Sequence, residues 1–221
     1  MKKALILILV FLIPAIGHAQ QAGQVTIGVR VGPVFGVHNA VDLEGIDIYG
    51  TGTFERQSNV LFNFNFTLYV NYAIANNFLI QAEANVMLNQ GYELRMPFAG
   101  FDSRRGRLTY TSLDIPILLR YNFLDFPLAF GVQAGPHISV PLGQGMLSGA
   151  GFSQRFDIDT FATFGLTTGF FSGTPVGPGR IVGDLRFIVD FNALEAQMWG
   201  TAMHIMRRRA FVISLGYEVT F

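Results

Sequence analysis

In the last eleven residues of the chain, Phe211, Ile213, Leu215, Tyr217, Val219 and Phe221 alternate with Val212, Ser214, Gly216, Glu218 and Thr220. Successive side chains of a strand point to opposite faces. This segment therefore has one wholly apolar face and one that is mostly small or polar. Such a strand, ending on an aromatic residue, fits poorly in water, where chain ends are usually polar. It fits a transmembrane β-barrel, whose outside meets lipid and whose inside packs polar side chains.

The same alternation recurs upstream, so that eight segments can be read in all. They run over 24–37, 60–75, 78–92, 108–123, 127–140, 156–171, 180–191 and the terminal strand. In the second, Phe62, Phe64, Phe66, Leu68, Val70 and Tyr72 face one way and Asn63, Asn65 and Thr67 the other. In the third, Gln81, Glu83, Asn85 and Asn89 form the polar face. Half of the residues are hydrophobic, yet beyond residue 19 no apolar run approaches the length of a membrane helix, about 20 residues. Charged residues make up only 14%, about half the usual share, which suits a chain whose outside faces lipid. The formal charge is zero, so nothing points to nucleic acid.

Connection lengths alternate as well. Asn76–Asn77, Leu124–Phe126 and Ser172–Gly179 are short; 38–59, 93–107, 141–155 and 192–207 are long, judged by where alternation fails. Short turns on one side and long loops on the other is the layout of an outer-membrane barrel. With an even strand count, both termini are expected on the short-turn, periplasmic side. Pro33, Pro116 and Pro136 fall inside proposed strands, where a missing N–H predicts bulges or kinks.

Lys2 and Lys3 precede an apolar run from Ala4 to Ile13, and Gly17 and Ala19 occupy small-residue cleavage positions. Residues 1–19 are therefore expected to be a secretory signal peptide, with 20–221 forming the barrel domain. There is no cysteine, hence no disulfide framework and no lipoprotein anchor.

Two resemblances agree with this reading. Leu215, Tyr217, Val219 and Phe221 resemble the C-terminal assembly signal of bacterial outer-membrane barrels, which implies handling by the barrel-assembly machinery. The run Leu113-Asp114-Ile115-Pro116-Ile117-Leu118-Leu119-Arg120-Tyr121 resembles the L-E-I-P-L-L-L-K-Y strand of the PorT-like outer-membrane β-barrel family. Gln81-Ala82-Glu83 with Gln90-Gly91 is similar to that family's Q-P-E…Q-K-G strand, and Gly28-Val29-Arg30-Val31-Gly32 to its G-x-K-x-G opening. Gly135-Pro136-His137 stands where the family has G-P-Y, with His137 replacing Tyr. The resemblance implies an all-β, eight-stranded antiparallel up-and-down transmembrane barrel in the outer membrane, and little chemistry.

Alternation places Arg30, Glu83, Asp114, Arg120, Asp184, Arg186 and Glu218 on inward faces, four acids and three bases. Charges in a low-dielectric interior are costly unless paired, so this balance predicts a cross-barrel ion-pair network. An eight-stranded barrel is just wide enough for its own side chains, so the network is expected to act as a plug. The second reading is a narrow porin-like pore for ions or small solutes. The third is a loop-side enzyme. His137 stands two residues from Ser139 on one face, which invites a Ser–His pair, but no G-x-S-x-G or orienting acid accompanies it. No catalytic residue, cofactor or metal site is assigned: His38, His137 and His204 are scattered and H-E-x-x-H is absent.

Two basic clusters, Arg104, Arg105 and Arg107, and Arg207, Arg208 and Arg209, fall on the loop side. Guanidinium groups suit phosphate, so contact with anionic lipid head groups or lipopolysaccharide phosphates is expected there. Gly143, Gly145, Gly149 and Gly151 lack the context of a phosphate loop and read as a flexible connection. Trp199, with Met198, Met203 and Met206, forms a candidate binding patch in the last loop. The leading expectation is a mostly plugged barrel, held by outer-membrane lipids, with a structural or surface-interaction role through its long loops.

Overall fold

Period-two alternation becomes eleven strands among the described residues: β1 (Val25–Asn39), β2 (Glu55–Ser58), β3 (Val60–Ala75), β4 (Phe78–Phe98), β5 (Phe101–Leu124), β6 (Ala129–Gly149), β7 (Phe152–Ile158), β8 (Thr163–Val176), β9 (Gly179–Asp190), β10 (Leu194–Met198) and β11 (Thr201–Thr220). The computed structural model describes residues 22–39, 55–58, 60–98, 101–124, 128–149, 152–198 and 201–221. The expected signal peptide and Trp199 lie outside these residues, as do the side chains of His38, Arg104, Met198, Met203 and His204.

At the end that holds both termini, the ring runs β1-β3-β4-β5-β6-β8-β9-β11 and closes because β11 pairs with β1. Every pairing is antiparallel; Val29 stands between Leu68 of β3 and Tyr217 of β11. This is the up-and-down, eight-stranded barrel that alternation implies, and closure leaves no strand edge for lipid to meet. The β3–β4 turn is the short Asn76–Asn77 pair, with Asn77 at φ 72, a left-handed conformation that Asn tolerates better than most residues. Toward the far end the wall changes partners. There β7 and β10 pair with each other and take the places of β8 and β9 between β6 and β11. The expected sixth segment, 156–171, is thus split between β7 and β8. Asn192 ties the join, accepting from the Phe164 N–H at 2.7 Å and donating to the Ala162 carbonyl at 3.2 Å.

Three expectations change. Three of the four long connections are mostly strand: β4 and β5 continue to Phe98 and Phe101, β6 and β7 flank 150–151, and β10 and β11 flank 199–200. Alternation fails there because bulges reset its phase. Leu88 and Asn89 together oppose Thr111, so β4 points Gln81, Glu83 and Asn85 inward below the bulge but Gln90 and Tyr92 inward above it. Asn89, expected on the polar face, is turned outward. The prolines, in contrast, carry no register shift. Pairing passes through Pro33↔Phe64, Pro116↔His137 and Pro136↔Leu166. Each proline loses only the ladder on its other side: the β1–β11 pairing lapses at Gly32 and Pro33, and the β5–β6 pairing at Gly135 and Pro136. At both places the preceding glycine lets the backbones draw close, since a Cβ on Gly32 or Gly135 would strike the carbonyl of Ile213 or Ile117.

The wall inverts its polarity along its length. Over the terminal half, Phe62, Phe64, Phe66, Leu119, Leu185, Ile213 and Leu215 are exposed and the inward side chains are polar. Over the far hairpins, Arg105, Arg107, Gln154, Arg155 and Asp157 face out. There Tyr92, Leu108, Tyr110, Leu147, Phe156, Leu194, Ile205 and Met206 form a buried apolar core. Lipid around the first half and water around the second would require this inversion.

Candidate functional site

The interior is filled in layers. Nearest the termini, Arg30 on β1 donates to Glu83 on β4 and to Asp184 on β9, each at 2.6 Å. Arg186 donates to the other Glu83 oxygen at 2.5 Å and to Asp184 Oδ1 at 2.8 Å, so two guanidinium groups and two carboxylates form a closed square. Gln133 donates to Asp184 at 2.8 Å and Gln81 to Glu83. Charge-assisted bonds of this kind are the strong ones, and each partner here is buried beside its opposite. Arg120 donates to Gln81 at 2.6 Å, lies 4.0 Å from Glu218, and stacks 3.7 Å from the Phe171 ring centre. Glu218 accepts from Tyr69 at 2.9 Å and from Asn71 at 3.4 Å, and Arg180 lies 3.8 Å away.

Above this layer sits an apolar belt of Val34, Met87, Ile188, Ala210 and Val212, all buried; it covers β1, β4, β9 and β11 and is not a full ring, because Asn65, Ser112 and Thr167 face inward at the same registers. Beyond it a second polar layer centres on Arg208. Its guanidinium donates to Asp114 at 2.8 Å, to Asp190 at 2.9 Å and to Gln90 at 3.0 Å. His137 bonds Asp190 at 2.8 Å and Thr167 at 3.1 Å, while Thr163 donates to the second Asp190 oxygen at 2.9 Å. The apolar core of the far hairpins closes the column.

The seven inward charges named from alternation are all buried, but they do not form one network. Six gather in the terminal-side layer; Asp114 alone lies in the other. Arg208 corrects the expectation of a head-group contact, being 1% exposed and the hub of the second layer. It lies six residues before Ser214 and ten before Glu218, hence on the inward face of a longer β11. Asp190 continues the inward series Asp184, Arg186, Ile188 within the segment 180–191. Its parity is legible in the sequence, but its partner Arg208 lies upstream of the alternating terminal segment. Tyr69 and Phe171 carry the inward parity of Asn63, Asn65 and Thr167, a signal that an aromatic residue in a lipid-facing barrel masks.

Arg105, Arg107, Arg207 and Arg209 do face outward, and Arg107 pairs with Glu93 at 3.2 Å. Leu215 and Phe221 are 62% and 75% exposed on the apolar outside. Tyr217 is half-buried there and donates to the Val176 carbonyl at 3.0 Å. His137 and Ser139 are both buried. Among the described residues, no group of three histidine or acid side chains is arranged to hold a metal ion.

A family model for the outer membrane protein beta-barrel domain matches residues 18–188. Among solved structures, the chain is similar to the outer membrane protein OprG of Pseudomonas aeruginosa, with 12% identity and a TM-score of 0.52 over 92% of this chain and 98% of that one. Neisserial surface protein A aligns with 13% identity and a TM-score of 0.48 over 90% and 99%. Ail of Yersinia pestis, an attachment invasion locus protein, aligns with 12% identity and a TM-score of 0.41 over 90% and 99%. At such identities the likeness to OprG shows the fold alone. No curated protein matches the chain.

Proposed function

The chain belongs to the outer membrane protein beta-barrel domain family and is a small barrel of the outer membrane, and we propose that it is a closed barrel serving surface interaction rather than conduction. One observation carries this reading: the lumen is occupied at successive levels by an ion-paired layer, an apolar belt, a second ion-paired layer and an apolar core. A conducting path needs an open, wettable lumen, whereas the inward charges here are buried and bonded to one another, Arg30 and Arg186 to Glu83 and Asp184, and Arg208 to Asp114 and Asp190. What remains available for recognition is the outside of the far hairpins, directed away from the cell.

Within this reading, residues 1–19 are a cleaved signal peptide, 20–221 the mature barrel, and the terminal strand with Leu215, Tyr217, Val219 and Phe221 addresses the assembly machinery. The L-D-I-P run at 113–116 favours a PorT-like member. The outward Arg105, Arg107, Arg207 and Arg209 support contact with anionic head groups at the membrane border.

The test is single-channel conductance of the refolded mature chain, with folding confirmed by a heat-modifiable band. The expected result is an inserted, silent barrel. Steady discrete openings that change in Arg120→Ala would instead make it a narrow pore.

A further inference from the structure

The two strands that flank β5 are dislocated at one level of the wall. In β4, Leu88 and Asn89 oppose Thr111; in β6, Gly143, Gln144 and Gly145 together oppose the single residue Tyr110 of β5. Asn89 is held at φ 51, one of two non-glycine residues in the left-handed region among those described. Residues kept in such conformations gather where structure serves a site. The dislocation opens a pocket of about 270 Å³ on the outer surface, lined by Asn89, Thr109, Thr111, Gln144, Met146 and Arg155.

Two further features define what fits there. First, the pocket lies on the border between lipid-facing and water-facing wall. Leu88 and Leu142 flank Thr111 in one row across the three strands and are 44% and 42% exposed, while Arg107, Gln154 and Arg155 face out beyond it. Second, the pocket is cationic. Its lining holds one charged side chain, Arg155, which has no carboxylate within ion-pair distance among the described residues. Asp157, two residues along the same face of β7, is engaged by the Gln144 amide at 2.7 Å. The remaining polar groups are amides and hydroxyls that can donate to an anion's oxygens.

We infer that this pocket binds the phosphorylated headgroup of an outer-leaflet glycolipid, with Arg155 on the phosphate and the acyl chains descending over Leu88 and Leu142. The site rests on the head-group contact proposed above and narrows it to one pocket and one cation that the two arginine clusters do not include. Arg209, by contrast, is paired across β11 with Val189 and Val37, on β9 and β1, away from β4–β7.

The experiment is native mass spectrometry of the full-length protein purified from vesicles containing bisphosphorylated lipid A, counting retained lipid per barrel. Arg155→Gln, Gln144→Ala and Arg209→Gln are compared, each first shown to fold by its heat-modifiable band; all three positions are exposed, so folding should persist. The expected result is one lipid A retained by wild type, about tenfold weaker retention in Arg155→Gln, the loss of one charge-assisted bond, and a clearly smaller loss in Arg209→Gln, whose head-group contact lies outside the pocket. Retention should also fall in Gln144→Ala, which frees Asp157 to compete for Arg155. Unchanged retention in Arg155→Gln with a loss in Arg209→Gln overturns the pocket but leaves the wider head-group reading standing. No retention by wild type overturns both. Equal retention of dephosphorylated lipid A, or displacement by inorganic phosphate alone, also overturns the assignment, the latter because the site would then recognise a free anion.

Discussion

Arg208→Met is the most discriminating perturbation of this barrel. The wild-type guanidinium is 1% exposed and donates charge-assisted bonds to Asp114 and Asp190 at 2.8 and 2.9 Å, with a third bond to Gln90 at 3.0 Å. Methionine is of similar length and fits beside Met87 of the apolar belt, so the substitution removes charge with little change in packing. Asp190 keeps His137 and Thr163 and Asp114 keeps Ser112, but neither retains a guanidinium. Removing one partner of a buried pair costs about 3–5 kcal/mol. Summing the lost bonds at about 1.5–3 kcal/mol each would exceed that, but a stranded carboxylate can instead take up a proton. At pH 7 this costs an ordinary carboxylate about 4 kcal/mol, which limits the penalty per acid. Equilibrium urea unfolding in lipid vesicles, followed by far-ultraviolet circular dichroism, should therefore show a loss of about 3–5 kcal/mol. The triple variant Arg208→Met, Asp114→Asn, Asp190→Asn removes the stranded charges and should recover most of that loss. A single variant within about 1 kcal/mol of wild type, no larger than an exposed pair's contribution, would refute the buried hub. A triple variant as unstable as the single one would refute the charge explanation.

Other substitutions test the remaining layers and the wall. Glu218→Leu strands Arg120 and deprives Tyr69 and Asn71 of their acceptor; because Arg120 lies 4.0 Å away, the cost should sit near the lower bound, about 3 kcal/mol. Membrane insertion should survive, and an unchanged urea midpoint would count against an ion-paired Glu218. Asn77→Val forces a β-branched side chain to φ 72 in the β3–β4 turn and should cost about 1–2 kcal/mol, whereas Asn77→Gly should be neutral or better. Equal unfolding midpoints for the two variants would exclude that conformation. Gly135→Ala places a Cβ against the Ile117 carbonyl and should lower the temperature of the heat-modifiable band shift, at a cost of about 1–3 kcal/mol. No shift would mean that β5 and β6 have room to separate there.

The fold was legible because strand alternation is a local property. A side chain's face depends only on its parity, so Phe62 to Tyr72 and Phe211 to Phe221 disclose a lipid-facing wall without reference to any partner. The inward position of Arg30, Glu83, Asp184, Arg186 and Glu218 was legible for the same reason. Parity stops being readable where it is reset. The β4 bulge at Asn89 shifts the phase by one, and beyond the dislocation the polarity of the wall reverses, so strands there resemble loops in a hydropathy pattern. That is why Arg208 read as part of a surface cluster.

Tertiary structure alone decided which charges meet. Arg30 and Asp184 are separated by 154 residues and Arg208 and Asp114 by 94; their bonds depend on the register at which β11 closes onto β1 and on how the strands stagger around the ring. Register is a collective result of every pairing in the barrel, and no single segment carries it. The division of the interior into two ionic layers with an apolar belt between them, and the pocket opened by two aligned dislocations, follow from that closure.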